Sequence, residues 1–257
     1  MPPNSVCTGS PSEMATPGGE VSFVQRILAE SLIAGERIQW YTAMLGFLSS
    51  VSSLVASLKE AGIDNYAVTE FVQGSKTRRW AVGWSFSSMR PALRVARGTE
   101  ALPRGLRPPI TEVTVVEMAL LENRVGPFAM YMSVQVGALD TIRWGWDVDR
   151  LEGVGRTADA VWARAWRRRK KREGTNTDQK HNANIGNSSG VDALVAIGRK
   201  SDHKTAFGFK MSVRVSKNST SVELCWLEGL SETIFESFTG FLKQQAQNFD
   251  TSTPIQS

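Results

Sequence analysis

Residues Ile38 to Leu58 hold no charged side chain over 21 positions, long enough to cross a bilayer, so the nature of this stretch decides the class of the whole chain. Ser49, Ser50, Ser52, Ser53 and Ser57 interrupt it, and Val51, Leu54, Val55 and Leu58 recur at i, i+3, i+4 and i+7. That is a one-sided apolar stripe, the mark of a helix lying on a core rather than of a segment apolar all round. No membrane partner is therefore expected. Met1 to Gly19 is rich in Pro, Ser, Thr and Gly and lacks the basic and apolar regions of a secretory signal, which predicts an intracellular chain.

The stripe sits within a series of elements. A helical pattern through Val21, Val24, Ile27, Leu28 and Leu32 opens after Gly18-Gly19, with Glu20 at the positive end of its dipole. Arg37 to Leu45 reads as a strand, and Val51 to Ala61 as the amphipathic helix, stopped by Gly62. Tyr66 to Gln73 and Arg79 to Phe86 are two more strands, joined by Gly74-Ser75-Lys76-Thr77 at hairpin length. Trp80, Trp84 and Phe86 share parity, so they are expected on one face as core. Residues 89–109, with four prolines and five arginines, read as a linker.

Beyond it, Ile110 to Leu121 and Met130 to Val136 read as β-branched runs. Arg156 to Glu173 reads as a helix with Ala158, Val161, Trp162, Ala165 and Trp166 on one face. Trp144 and Trp146 are expected to pack rather than function. Residues 174–202 are polar and poor in aliphatic side chains, as in a flexible insert. Phe207 to Val215 and Val222 to Trp226 alternate about a polar turn as a hairpin, and Ser231 is placed to cap a last helix whose buried stripe is Phe235, Phe238, Phe241 and Leu242. The expected organisation is 1–88, linker 89–109, and 110–250.

The net charge of +5 is modest but concentrated. Between Arg164 and Arg172 seven of nine residues are cationic: Arg164, Arg167, Arg168, Arg169, Lys170, Lys171 and Arg172. One or two cations satisfy a helix C-terminus; seven repel one another unless an anion lies among them, and the phosphate backbone is the commonest such anion. The same run also fits a nuclear-import signal. Lys76, Arg78 and Arg79 form a smaller basic group at the hairpin. Cys7 and Cys225 stand far apart, and His181 and His203 lie in a polar stretch, so zinc sites, disulfides and histidine triads are poor candidates. Residue patterns alone thus reach an intracellular α+β or α/β protein with a nucleic-acid-binding patch.

A more specific signal comes from a run of spaced residues. Gly9-x-x-x-Glu13 precedes Gly18-Gly19-Glu20-Val21-Ser22-Phe23-Val24-x-x-Ile27-x-x-Glu30-Ser31, then Trp40-Tyr41-Thr42-x-Met44-Leu45-Gly46, Glu70-Phe71-x-Gln73-Gly74 and Arg79-Trp80-Ala81-x-x-Trp84-Ser85-Phe86. Over about residues 2–88 this resembles the family of adenine-N6 RNA methyltransferases that act on U6 snRNA, with bacterial relatives acting on ribosomal RNA. A looser resemblance to the eukaryotic enzymes' C-terminal region lies at Trp166 to Arg172 and at Trp226-Leu227-Glu228-Gly229. The resemblance implies an α/β fold: the C-terminal half of a Rossmann-like sheet, followed by an α+β accessory RNA-binding module similar to kinase-associated domains. It implies S-adenosylmethionine as cofactor, structured RNA (a U6 snRNA-like hairpin or rRNA) as partner, and a nuclear location. By the same resemblance Phe23 matches an aromatic near the flipped adenine, Arg79 matches an RNA-binding arginine, and Arg167 to Arg172 fit the accessory module's grip.

The departures are as informative. The family's Asn-Pro-Pro-Phe motif and its glycine-rich cofactor loop are absent from the sequence, so no catalytic or cofactor-binding residue is assigned. Phe47-Leu48 stands where relatives carry charge. The expectation is a chain that holds only the last three strands of the sheet, with an unpaired edge along Arg37 to Leu45, low stability of residues 1–88 alone, and a missing N-terminal half or second chain as partner. The alternative is a catalytically silent RNA-binding protein acting through its basic helix.

Overall fold

The computed structural model describes residues 16–74, 77–119, 122–172 and 205–249. It is a mixed α/β fold whose two sheets are antiparallel throughout, in two compact units that divide between Thr111 and Glu112. Lys76, Cys7, both histidines and the segment 174–202 lie outside the described residues.

In the first unit, helix α1 (Gly19–Ala34) leads to strand β1 (Tyr41–Leu45), helix α2 (Leu48–Glu60) and the hairpin β2 (Tyr66–Gln73) and β3 (Thr77–Trp84). The strand order is β1-β3-β2, so β3 is central. The sequence stripe is what α2 buries: Val51, Leu54, Val55 and Leu58 are almost wholly enclosed, each worth about 1.5–3 kcal/mol of burial. Trp80, Val82 and Trp84 point from β3 to the same side. Trp84 Nε1 donates to Ser31 Oγ at 3.0 Å, and that hydroxyl donates to the Leu28 carbonyl at 2.7 Å, so the indole and the buried hydroxyl satisfy each other.

The two sheet edges differ. Beyond β2, Arg97 bridges Val68 in parallel and the Gly98 amide donates to the Val68 carbonyl, so residues 89–109 close that edge and bury Ala96 and Leu102. Among the described residues β1 pairs only with β3, and Trp40, Met44 and Phe47 stand exposed beside it.

The second unit is a five-stranded sheet in the order β4-β8-β7-β6-β5. Its strands are β4 (Glu112–Met118), β5 (Arg143–Asp147), β6 (Glu152–Thr157), β7 (Phe207–Val215) and β8 (Thr220–Glu228). Helices α4 (Glu122–Gly137) and α6 (Glu232–Asn248) are joined in its core by Phe207, Phe209, Met211, Leu224 and Trp226; α3 is the short Leu93–Ala96 and α5 the helix over 164–172. The hairpin β7–β8 and the Ser231 cap, whose hydroxyl accepts from the Ile234 amide, match expectation.

Two expectations are corrected. Met130 to Val136 is not a strand but the second half of α4, because the buried set Arg124, Val125, Phe128, Ala129, Met132 and Val136 follows helical spacing. Helix does not begin at Arg156: residues through Thr157 belong to β6, and α5 begins at 164. The buried face of β6 consists of Gly153, Gly155 and the polar Thr157, and a Cβ at the glycines would collide with Trp144 and Trp146 and with Phe209, so the strand has no apolar alternation to read.

Candidate nucleic-acid interface

The basic residues singled out in the sequence fall into two groups, one in each unit. In the first, Arg79 leaves β3 at the position before Trp80 and is exposed, its guanidinium donating to the Arg78 carbonyl. It borders a 610 Å³ surface cavity with Gly46, Phe47 and Thr77 and an adjoining 360 Å³ one with Glu20 and Met44. Arg78 instead pairs with Glu70 at 3.2 Å. Phe23 is half exposed on α1 with the Arg26 guanidinium 5.8 Å from its ring centre, and it borders neither cavity beside Arg79.

Glu20 organises this corner, a role the sequence reading missed. Its carboxylate accepts from the Gly46 amide at 2.7 Å and from Ser50 Oγ at 2.5 Å, tying α1 to the turn between β1 and α2. Burial pushes its pKa up. The hydrogen bonds from Ser50, Gly46 and Phe47 and the nearby Arg79 guanidinium outweigh that, and its pKa lies below the ordinary 4.5. A carboxylate with a lowered folded-state pKa stabilises above its unfolded value, and that stabilisation fades as pH falls through the folded value. Glu20→Gln is thus expected to cost about 1 kcal/mol at pH 7 and progressively less below about pH 4.5. Urea melts of both proteins at pH 7 and pH 3 check this, and an undiminished gap at pH 3 refutes it.

In the second unit α5 presents the cationic run. Asp159 accepts from Arg169 and Asp140 from Lys170, and the Arg169 guanidinium lies 4.5 Å over the Trp166 ring. The bond from Arg169, against the effect of burial, holds the Asp159 carboxyl below the usual range. Lys171 is engaged as well. Arg164, Arg167, Arg168 and Arg172 are exposed and form no ion pair among the described residues. Their charge is available to an outside anion. Against Arg164 and Arg167, Leu139, Trp162, Ser237, Phe241, Gln244 and Gln245 complete a 530 Å³ cavity that no sequence motif announced. No described helix is long and apolar enough to cross a membrane.

Residues 1–88 match a family model described as RNA methyltransferase. Over 90 residues the chain is 51% identical to the U6 small nuclear RNA (adenine-(43)-N(6))-methyltransferase of Schizosaccharomyces pombe, covering 35% of this chain and 23% of that protein. Over 86 residues it is 50% identical to the enzyme of the same name from Drosophila melanogaster, covering 34% and 28%. The chain thus spans about a quarter of the length of these curated relatives. Among solved structures, the hMettl16 catalytic domain in complex with MAT2A 3′UTR hairpin 1 is 45% identical over 33% of this chain and 29% of that one, with a TM-score of 0.31.

Proposed function

We propose that this chain serves adenine-N6 methylation of structured RNA in the nucleus, with a U6 snRNA-like hairpin as substrate class, and that its described residues do the RNA-holding part of that work. The observation that carries this is the set of exposed guanidiniums on α5 that form no ion pair among the described residues, which an RNA backbone neutralises. Arg79, with Phe23 on the same unit, supplies a second contact in the segment most similar to the methyltransferases, and Arg78 and Lys76 flank it. In this reading the first unit corresponds to the last three strands of a Rossmann-like sheet and the second to an accessory module of the kinase-associated kind. The open edge of β1, with Trp40, Met44 and Phe47 beside it, supports a further polypeptide segment, in cis or from a second chain, completing the sheet.

S-adenosylmethionine is the methyl donor that this family implies, and the described residues of the first unit do not fit it. The cavities around β1 border Arg79, which repels a sulfonium cation, and Glu20 beside it already accepts two hydrogen bonds. No step of methyl transfer is therefore assigned to these residues, which favours RNA holding over chemistry.

Two titrations into the full chain test the proposal: a fluorescent adenine-bearing RNA hairpin followed by anisotropy, and S-adenosylmethionine followed by calorimetry. Hairpin binding that weakens steeply with salt, and no saturable heat from the cofactor, are expected. Failure to bind the hairpin at about 50 mM salt removes the RNA-holding role. Micromolar cofactor binding overturns the restriction to holding.

A further inference from the structure

The 530 Å³ cavity of the second unit is more than a gap beside a basic helix. It is lined by Trp162 and Phe241, by Arg164 and Arg167 of α5, by Ser237, Gln244 and Gln245 of α6, and by Leu139. No carboxylate is among the described residues that line it. The volume falls in the range of small-ligand sites.

The architecture that builds it is firm. On α6, Ser237, Phe241, Gln244 and Gln245 follow i, i+4, i+7 and i+8, so one helix face carries them all while Phe235, Phe238, Leu242 and Ala246 are buried on the other. Trp162 is 6% exposed, held by an Nε1–H donated to Ser237 Oγ at 3.0 Å and by the Phe207 and Phe238 rings. Phe241 stacks on Phe238 at 5.8 Å. The two aromatic rings are thereby fixed by the core, and polar side chains of two helices line the cavity with them.

Each part has a chemical use in holding a nucleotide. A guanidinium takes a phosphate through paired N–H donors. Phe241, half-buried, offers a ring on which a base can stack. A primary amide offers one donor and one acceptor in a plane, the pairing that reads the N6/N7 edge of adenine. An acidic peptide or an anionic lipid headgroup would engage the arginines and leave both amides and the Phe241 ring without a role.

We propose that this cavity is a base-reading subsite that takes one unpaired adenine nucleotide of the bound RNA, with Gln244 and Gln245 as the discriminating residues. The inference rests on α5 being an RNA-holding surface. It adds sequence preference to what is otherwise a charge-driven grip.

The test uses the full chain and fluorescent eight-nucleotide strands of oligo-rA and oligo-rC at one salt concentration. The unaltered protein is expected to prefer oligo-rA by about fivefold or more, within the discrimination that a bidentate amide contact supplies. In Gln244→Ala/Gln245→Ala that preference is expected to vanish. Alanine favours helix at these surface positions, and circular dichroism verifies the fold. Arg167→Glu/Arg168→Glu is expected to weaken both strands together. No preference in the unaltered protein, or a preference that survives the glutamine variant, overturns the base-reading subsite while charge-driven RNA binding stands. An arginine variant that binds both strands undiminished overturns the RNA-holding surface and the subsite with it.

Discussion

Replacing Trp84 with alanine is expected to unfold the first unit at 25 °C. Trp84 is fully buried on the central strand, in register with Tyr41 of β1 on one side and Tyr66 of β2 on the other. It stacks on Tyr41 with ring centres 5.8 Å apart and satisfies the buried Ser31 hydroxyl. Truncation removes all of this at once, and large-to-small changes at such aromatic sites cost about 3–5 kcal/mol. A whole domain commonly has only about 5–15 kcal/mol to lose, and among the described residues one edge of this unit's sheet is unpaired, so its margin is expected to be small. Trp84→Phe keeps most of the apolar area and removes only the bond that Ser31 Oγ accepts, its own bond to the Leu28 carbonyl remaining, at a cost of about 0.5–1.5 kcal/mol, so it is expected to fold with reduced resistance to urea. Peptide-level hydrogen exchange on the full chain reads both variants. Loss of protection over β1, α2 and β3 in Trp84→Ala, with protection retained over β7 and β8, is the expected pattern; native protection over β3 refutes the central role of the indole.

The residues that made this unit readable are those whose pattern and environment agree. The α2 stripe at Val51, Leu54, Val55 and Leu58 and the shared parity of Trp80 and Trp84 needed only helix and strand periodicity, and both are buried as that periodicity requires. The second unit was less legible, for physical reasons. β6 hides its register because Gly153 and Gly155 leave room for the rings of Trp144, Trp146 and Phe209, so the apolar signal sits on neighbouring strands instead. In α4, Gly126 and Pro127 break the local helical preference and leave Met130 to Val136 looking like an isolated apolar run. Glu20 looked like a favourable charge for a helix N-terminus. Its hold on Gly46 and Ser50 spans 26 and 30 residues of sequence, and no local pattern encodes such a contact. The cationic run was visible at once, but which of its charges are spent was not: that depends on Asp140 and Asp159 meeting Lys170 and Arg169.

That division of charges sets a second large effect. Arg164, Arg167, Arg168 and Arg172 are the α5 cations without an intramolecular partner among the described residues, so about four phosphate contacts are expected from this surface. For single-stranded RNA, log affinity should then fall with log salt at a slope of about −3, and raising salt from about 50 to 200 mM should weaken binding about fiftyfold. If all seven cations bound phosphate, the slope would approach about −5. Arg167→Glu/Arg168→Glu removes two contacts and sets two negative charges against the backbone, so affinity at about 50 mM salt is expected to drop more than tenfold and the slope to halve. Neutralising the engaged pair as Arg169→Gln/Lys170→Gln should change the slope far less, because those cations already face carboxylates. Anisotropy titrations of one RNA at four salt concentrations separate these cases. Equal slopes for the two double variants would mean that the Asp140 and Asp159 pairs open when RNA arrives, and the four-cation surface would have to be abandoned for the full run.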